Sequence, residues 1–343
     1  MRSAIGTRRR VAAPGSDIVT VEPPRGLELP LTVRPAVPGV DLAAYAADAR
    51  TPIDGWLDEH GAVLFRGFDV CGAAALQSVV SAAVGDPLEY RERSTPRSTV
   101  EGNIYTSTEY PAAEEIPLHC ENSYAHSWPL RLILHCATPA QTGGATPLAD
   151  CRRVLERISP PTLRRFTEHG VRYVRNLGGG IGLDWREVFQ TDDRNQVEAQ
   201  CRLGGYDHRW AGDRLRLSRV APAVVRHPRT GVRTWFNHAV LFHPSSLPAG
   251  VRDELTAEYG EDGLPNCTYF GDGSPIPDEV VDELRAAYAA ESIVFPWQRG
   301  DVVVVDNMLM AHGRQSFTGP RQVLVAMGQP CTADSVIGGN GNA

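Results

Sequence analysis

Runs of apolar residues concentrate toward the two ends of the chain. Segments 61–68 (GAVLFRGF) and 130–137 (LRLILHCA) lie in the first half, and segments 300–308 (GDVVVVDNM) and 321–328 (RQVLVAMG) lie near the end. Short apolar runs that are rich in β-branched residues predict buried strands. Because early and late segments both predict strands, we expect them to become neighbours in an antiparallel, barrel-like sandwich.

Helical patterns separate these strand-like runs. The stretches 41–59, 71–85, 151–170 and 276–290 carry apolar residues at helical spacing, which predicts helices. The chain is therefore predicted to be mainly β with helical insertions.

The same patterns predict the domain organisation. Residues 1–30 are rich in Arg, Pro and Gly and lack periodicity, so we expect a mobile N-terminal lead-in. A single domain would follow over 31–332, with an insertion around 178–212, where the sequence is first glycine-rich and then polar. Residues 333–343 would form a flexible tail.

Composition excludes several function classes. All 34 basic residues are Arg, and the absence of Lys excludes Schiff-base chemistry and a phosphate-binding P-loop lysine. A net charge of −7 argues against a nucleic-acid partner. Seven scattered cysteines without a C-x-x-C pair indicate reduced thiols in the cytoplasm. The sequence has no apolar run long enough to span a membrane.

The segment 116–124 (IPLHCENSY) contains an H-x-E motif. If it is a strand, His119 and Glu121 point to the same side, because side chains alternate along a strand. The motif alone is weak, since ten His and 41 acidic residues in 343 give about one H-x-[DE] by chance. A distant second His would complete the 2-His-1-carboxylate set that suits non-haem Fe(II).

The segment 300–325 supplies that second His. An apolar strand is expected to run into a polar turn that carries His312, so its imidazole would emerge at a strand end. Arg321 then opens the next strand and shares a face with Val323 and Val325. A guanidinium at the head of an apolar face is costly to bury without an anion, so it predicts a carboxylate-bearing ligand beside the metal.

The segment 141–150 (QTGGATPLAD) offers Thr146 after a glycine turn. Its hydroxyl could bind a ligand. An ordinary turn with a capping Thr is the alternative.

Several phrases in order then resemble one family. They are IYTSTEYP, IPLHCENSY, WPLRLILHCATPAQTGGATPLAD, VRYVRN, WREVFQT, WFNH, FGDG and the stretch from GDVVVVDNM to VLVAM. Together they resemble the TauD/TfdA family of Fe(II)- and 2-oxoglutarate-dependent dioxygenases over about residues 28–330, with the SyrP-like branch of syringomycin biosynthesis nearest. The resemblance implies a double-stranded β-helix, or jelly roll, as the core.

The resemblance also implies residue roles. His119, Glu121 and His312 would bind Fe(II), and Thr146 and Arg321 would bind the distal carboxylate of 2-oxoglutarate, with O2 as the second cosubstrate. Glu121 stands where Asp is more common.

Three further residues are candidates for substrate binding. Asn122 follows the metal motif, His238 lies in the shared WFNH phrase, and Arg314 is two residues after His312. Structural support of the ligands, packing within an aromatic strand and pairing with a neighbouring acid are the respective alternatives.

The implied activity is oxidation of an unactivated C–H bond in an amino-acid-type substrate, free or tethered to a peptidyl carrier protein, in antibiotic or other specialised biosynthesis. Hydroxylation is the default outcome, and desaturation and cyclisation are alternatives. From the residues alone, a zinc hydrolase and a non-catalytic regulator stay open. The hydrolase leaves Arg321 unexplained.

Overall fold

The computed structural model of the protein describes residues 18–89, 98–107, 110–180 and 182–337. The strands are β1 Val19–Glu22, β2 Leu31–Pro35, β3 Ala62–Phe65, β4 Thr99–Glu101, β5 Ile104–Thr106, β6 Ile116–His119, β7 Ser127–Thr138, β8 Thr142–Gly143, β9 Leu148–Asp150, β10 Val171–Leu177, β11 Asp207–Ala211, β12 Arg214–Ala221, β13 Val224–Arg226, β14 Arg233–Trp235, β15 Asn266–Phe270, β16 Ser292–Ile293, β17 Val302–Asp306, β18 Met310–Arg314, β19 Phe317–Thr318 and β20 Gln322–Thr332.

The α-helices are α1 Leu42–Asp48, α2 Arg50–His60, α3 Gly72–Val84, α4 Cys151–Arg157, α5 Pro160–His169, α6 Trp185–Phe189, α7 Arg194–Leu203, α8 Ala249–Tyr259, α9 Asp278–Ala290 and α10 Ala333–Ile337. Short 3-10 helices span Pro244–Ser246 and Glu261–Gly263. Within the described ranges, no helix is both long enough and apolar enough to cross a membrane.

The large sheet unites the apolar runs from both ends of the sequence. Its strand order is β1-β2-β3-β17-β7-β20-β5-β4. The four valines of β17 are fully or almost fully buried, and the strand pairs antiparallel with β3 on one side and β7 on the other. A strand covered on both faces needs this continuous β-branched pattern. The predicted pairing of early and late strands is confirmed.

A small sheet packs against the large one. Its order is β16-β9-β18-β6, and β8 pairs with β19 beside it. Leu148 and Met310 of the small sheet share one apolar core with Leu134, Val303 and Val325 of the large sheet. Two sheets that bury their inner faces against each other form the jelly roll expected from the family resemblance.

Helices cover the outer face of the large sheet. Ile53 and Leu57 of α2 and Leu76 of α3 share a second core with Val63 and Val304. The first helix begins where the side chain of Asp41 accepts a hydrogen bond from the Ala44 N–H at 2.7 Å. The large sheet is therefore buried on both sides, which fixes the strand ends that lead to the small sheet.

The segment expected as an insertion packs with β10 and β12 in one hydrophobic cluster. It forms α6, α7 and β11, and β11 extends the sheet β11-β12-β10-β15. Trp185, Val197, Leu215 and Leu217 pack together there. Residues of the segment 178–212 thus form two helices and an edge strand, and its assignment as an insertion stays a prediction.

Part of each end that was predicted to be flexible is folded. β1 pairs with β2 along its whole length, because the VTVE pattern alternates and buries Val19, so residues 19–22 are not a lead-in. At the other end, residues 333–337 form α10, anchored by the Ala333 N–H donating to the His126 carbonyl at 2.8 Å. The rest of the predicted lead-in, 1–17, and of the tail, 338–343, lies outside the described residues.

Candidate active site

Two histidines face each other across neighbouring strands of the small sheet. His119 of β6 pairs in register with His312 of β18, and their ring centroids are 4.5 Å apart. Glu121 Oε2 lies 3.9 Å from His312 Nε2. One ligand atom from each of the three residues lies within 4.8 Å of the others, and all three residues are buried. The chain brings the three predicted ligands together, although 191 positions separate Glu121 from His312.

Two details of the predicted local structure are wrong. β6 ends at His119, so Glu121 lies in a turn and strand alternation does not place its carboxylate. The turn is possible because Asn122 adopts φ 55°, a left-handed conformation that Asn tolerates. His312 lies inside β18 and not in a polar turn, because Asn307 to Leu309 already complete the turn before that strand.

A backbone contact orients the first imidazole. His119 Nδ1 lies 2.8 Å from the Pro117 carbonyl oxygen, an acceptor, so Nδ1 carries the proton and donates. This tautomer leaves the Nε2 lone pair available, the usual arrangement for a histidine that binds a metal. Two imidazoles and one carboxylate suit Fe(II). The residues present therefore fit a non-haem iron ion.

Thr146 and Arg321, the two residues predicted to bind a carboxylate, lie close to each other. Arg321 donates from Nε to the Gly144 carbonyl at 2.9 Å and from Nη2 to the Thr146 hydroxyl at 3.4 Å. Burial, followed by repulsion from Arg314, lowers the pKa of Arg321 to about 10. The group remains charged at neutral pH, in a place where an added carboxylate would offset the cost of burial.

One cavity lies between the predicted metal ligands and the predicted carboxylate-binding residues. It is lined by His119 and His312, by Thr146 and Arg321, and by the apolar side chains of Leu134, Val323 and Val325. Arg321, Val323 and Val325 all line this cavity. Simple strand alternation does not place Arg321 there, because β20 begins at Gln322 and its register shifts between Gln322 and Val323. A small diacid in the cavity would have metal ligands and a guanidinium among its neighbours.

Three residues near these groups were not anticipated from the sequence. Trp297 donates its indole N–H to the Thr146 hydroxyl at 3.0 Å, Ser107 lies 3.4 Å from an Arg321 nitrogen, and Asn307 binds the backbone of Glu121. Asp306 and Asn307 directly follow the four valines of β17, and two polar residues at the end of an apolar strand were a sequence signal that could have identified Asn307. No local pattern marked the other two, because both reach the site through distant pairings.

Arg314 lines the cavity, but backbone groups already bind its guanidinium. It donates to the carbonyls of Tyr110 at 2.9 Å, Pro111 at 2.6 Å and Glu114 at 2.8 Å. These contacts secure the 110–114 segment against β18. They favour a positioning role over the predicted contact with substrate.

His238 lies beside the first ligand. Its ring centroid is 5.5 Å from that of His119, and its Nδ1 lies 2.6 Å from the Ser123 hydroxyl. Burial lowers the pKa of His238 well below its usual value, so the ring is neutral. Asn122 is also buried, and its side-chain oxygen lies 3.4 Å from the Tyr124 hydroxyl. Both predicted substrate residues therefore border the metal-ligand set.

Comparisons with known proteins agree with this geometry. The model of the family described as "Taurine catabolism dioxygenase TauD, TfdA family" matches residues 27–327. The dapdiamide synthesis protein DdaC of Enterobacter agglomerans is 42% identical over 310 residues, which cover 87% of this chain and 94% of that protein. A clavaminate synthase-like protein of Arabidopsis thaliana is 32% identical, over 85% of this chain and 89% of its own length.

Solved structures show the same fold. The PvcB protein of Pseudomonas aeruginosa superimposes with a TM-score of 0.57 at 17% identity, covering 94% of each chain. A taurine dioxygenase of Burkholderia xenovorans gives a TM-score of 0.52 at 18% identity, over 93% of this chain and 92% of that one. The narrower likeness to the SyrP-like branch stays a prediction. The chain belongs to the TauD/TfdA family of iron- and 2-oxoglutarate-dependent dioxygenases.

Proposed function

We propose that this dioxygenase hydroxylates an unactivated C–H bond of an amino-acid-type substrate in specialised metabolite biosynthesis. His119, Glu121 and His312 would hold the iron, and Thr146 and Arg321 would hold the distal carboxylate of 2-oxoglutarate. The observation that carries the assignment is the shared cavity, which is lined by two of the proposed ligands and by the proposed carboxylate anchor.

The anchor has a physical reason to accept a diacid. Arg321 is charged but partly desolvated, and the Arg314 charge opposes it. A bound carboxylate would supply the missing counter-charge and accept charge-assisted hydrogen bonds from the planar guanidinium. The Thr146 hydroxyl already accepts from Trp297, which leaves its own proton for donation to the same carboxylate.

When bound, iron and 2-oxoglutarate supply the oxidising power for C–H cleavage. The chain contributes orientation and exclusion of water. Leu134, Val323 and Val325 form an apolar wall beside Arg321, so a diacid held there would be fixed at one end and shielded along its length. A zinc hydrolase would have no use for this partly buried anchor.

The substrate class rests on the relatives. DdaC is a dapdiamide synthesis protein, and PvcB is described as an oxygenase from an isonitrile synthetic pathway. We infer a small amino-acid-type substrate near His238 and Asn122, either free or presented by a peptidyl carrier protein. Desaturation or cyclisation would follow from the same site if the substrate radical lost a second hydrogen or closed a ring.

The test is succinate release against a panel of free amino acids and carrier-loaded aminoacyl groups, with mass spectrometry of each product. We expect at least one substrate to couple succinate release to a gain of one oxygen atom. A product that loses two hydrogens would instead support desaturation or cyclisation. No stimulated succinate release by any member, with iron and 2-oxoglutarate bound, would reject the substrate class.

We also propose a cytoplasmic location. All seven cysteines lie within the described residues and none of them forms a disulfide, and six are buried, as expected in a reducing compartment. Quantitative alkylation under native and denaturing conditions, without added reductant, should label seven thiols after unfolding. Recovery of a disulfide from protein rapidly quenched in cells would contradict this location.

A further inference from the structure

Glu121 lacks the support that a strand would give. The pairing of β6 with β18 reaches His119 and His312, and Glu121 lies two residues beyond it in the turn. The Glu121 carboxylate can lie beside the two imidazoles only if the backbone of this turn has a fixed position. A metal site needs its ligands held within narrow limits, so another group must fix this backbone.

The side chain of Asn307 occupies the place of the missing strand. Its Oδ1 accepts from the Glu121 N–H at 2.7 Å, and its Nδ2 donates to the Glu121 carbonyl at 2.9 Å. One residue whose N–H and C=O are both bound to one partner reproduces the paired hydrogen bonds of an antiparallel ladder. The second Nδ2 proton goes to the Pro129 carbonyl at 2.9 Å, so the amide orientation is unambiguous.

Asn307 is itself held by the large sheet. It directly follows β17, is fully buried, and donates its backbone N–H to the Leu130 carbonyl at 2.9 Å. The preceding Asp306 is bound by Arg131 and His227. The amide thus connects the rigid core strands β17 and β7 with the turn that carries the carboxylate.

We propose that Asn307 is a positioning residue for the metal site: its carboxamide fixes the Glu121 backbone and so places the Glu121 carboxylate beside His119 and His312. This rests on the proposed role of Glu121 as an iron ligand. A buried Asn that only completes a turn would also stabilise the fold, but it would leave metal affinity unchanged.

Asn307→Asp is the sharpest variant. It keeps the shape but replaces the amide donors with a carboxylate that faces two carbonyl oxygens. Asn176→Asp is the matched control. Asn176 lies on β10 of another sheet, is also buried, and donates to the Leu264 backbone carbonyl at 2.7 Å. Both changes should lower the melting temperature, so stability alone does not discriminate between a positioning role and a purely structural one.

The discriminating measurement is the affinity of the metal-free, full-length protein for Co(II), by calorimetric titration and visible absorption. Replacing a residue that supports a metal ligand typically lowers metal affinity about 10- to 100-fold. We expect Asn307→Asp to weaken Co(II) binding at least about tenfold, with a changed Co(II) spectrum, and Asn176→Asp to stay within about twofold. A folded Asn307→Asp protein with wild-type affinity and spectrum would overturn the proposal.

A second measurement needs no variant. In metal-free wild-type protein, the Glu121 amide should exchange its hydrogen as slowly as amides of β17, because Asn307 binds it in the absence of metal. Rapid exchange would overturn the proposal even if Asn307→Asp failed to fold. Failure of the wild type to bind Co(II) would instead count against the proposed function, and the exchange result would still decide whether Asn307 holds the turn.

Discussion

Arg321 shows how one residue can carry a functional prediction. Its position at the head of an apolar strand face suggested an anionic ligand, and it does line the cavity with Thr146 and His312. Its contacts to Gly144 and Ser107 required pairings over 177 and 214 positions, which no local pattern specifies. Residue type and spacing thus predicted that Arg321 would face a cavity, whereas its neighbours there depend on the tertiary fold.

Replacing Arg321 with Ala should raise the KM for 2-oxoglutarate. A charge-assisted hydrogen bond contributes about 1.5–3 kcal/mol, which corresponds to roughly a 10- to 100-fold loss of affinity. Arg226→Ala is the control, since Arg226 is an exposed residue of β13 that donates to the Gly231 carbonyl at 3.1 Å. Steady-state kinetics with varied 2-oxoglutarate measures the effect, and an unchanged KM would remove Arg321 from the cosubstrate site.

The pH dependence of cosubstrate binding depends on the same residue. The pKa of Arg321 is lowered to about 10, so the guanidinium stays protonated below that pH. Affinity for 2-oxoglutarate should therefore show no loss attributable to Arg321 between about pH 6 and pH 9, and should fall as pH rises through about 10. Binding measured by calorimetry across this range provides the check, with Arg321→Ala expected to lose the alkaline decline.

Glu121→Gln should abolish detectable turnover while the protein stays folded. The amide keeps the side-chain volume but loses the negative charge that binds a divalent cation. Glu115→Gln is the matched control, because Glu115 is an exposed acid immediately before β6. Succinate formation above about one hundredth of the wild-type rate would show that Glu121 is not an essential ligand.

At the scale of elements, the end of β17 anchors the site. Asp306 and Asn307 follow four buried valines. Asp306 binds Arg131 of β7, and Asn307 binds Pro129 of β7 and Glu121 in the turn after β6. The apolar run was readable as a strand because its pattern is local. The turn at Glu121 could not be predicted from local sequence, because its backbone is bound by Asn307, 186 positions away. Local propensity predicts β6, but a long-range hydrogen bond fixes the turn after it.

Asp306→Asn should destabilise the fold at neutral pH. Arg131 is fully buried against Asp306, and loss of one partner of a buried pair costs about 3–5 kcal/mol. Burial alone would raise the pKa of Asp306, but the hydrogen bond from His227 and the Arg131 charge together lower it.

A carboxylate whose pKa is lowered by folding stabilises the protein above its unfolded pKa, and this contribution disappears as pH falls through the folded value. The difference in unfolding free energy between wild type and Asp306→Asn should be largest near pH 7 and should shrink below about pH 4. Urea denaturation at several pH values measures it. A constant difference across that range would contradict the role assigned to this ion pair.

The long-range pairing of β8 with β19 lies beside Arg321, the proposed cosubstrate anchor. Gly143 has φ +64°, and a Cβ there would lie 2.2 Å from the Ser316 carbonyl oxygen. Gly143→Ala should displace the turn whose Gly144 carbonyl binds Arg321, so the KM for 2-oxoglutarate should rise. Gly212→Ala is the matched control, with φ +63° and no heavy atom within 4 Å of its added Cβ. Equal effects of both changes on KM would rule out a specific role for the pairing of β8 with β19.

At the scale of the whole molecule, the jelly roll brings distant segments to one place. Strands from residues 62–65, 127–138, 302–306 and 322–332 lie side by side in the large sheet. The small sheet then sets His119 opposite His312. This arrangement explains why residues far apart in sequence share one buried cluster.

One iron ion and one 2-oxoglutarate should bind together in this cavity. The decisive measurement is anaerobic titration of the metal-free protein with Fe(II) and 2-oxoglutarate, followed by visible absorption. We predict a weak band that saturates at one Fe(II) per chain, is absent in Glu121→Gln, and needs more 2-oxoglutarate in Arg321→Ala. A folded wild-type protein that shows no such band at saturating concentrations of both would contradict joint binding at this site.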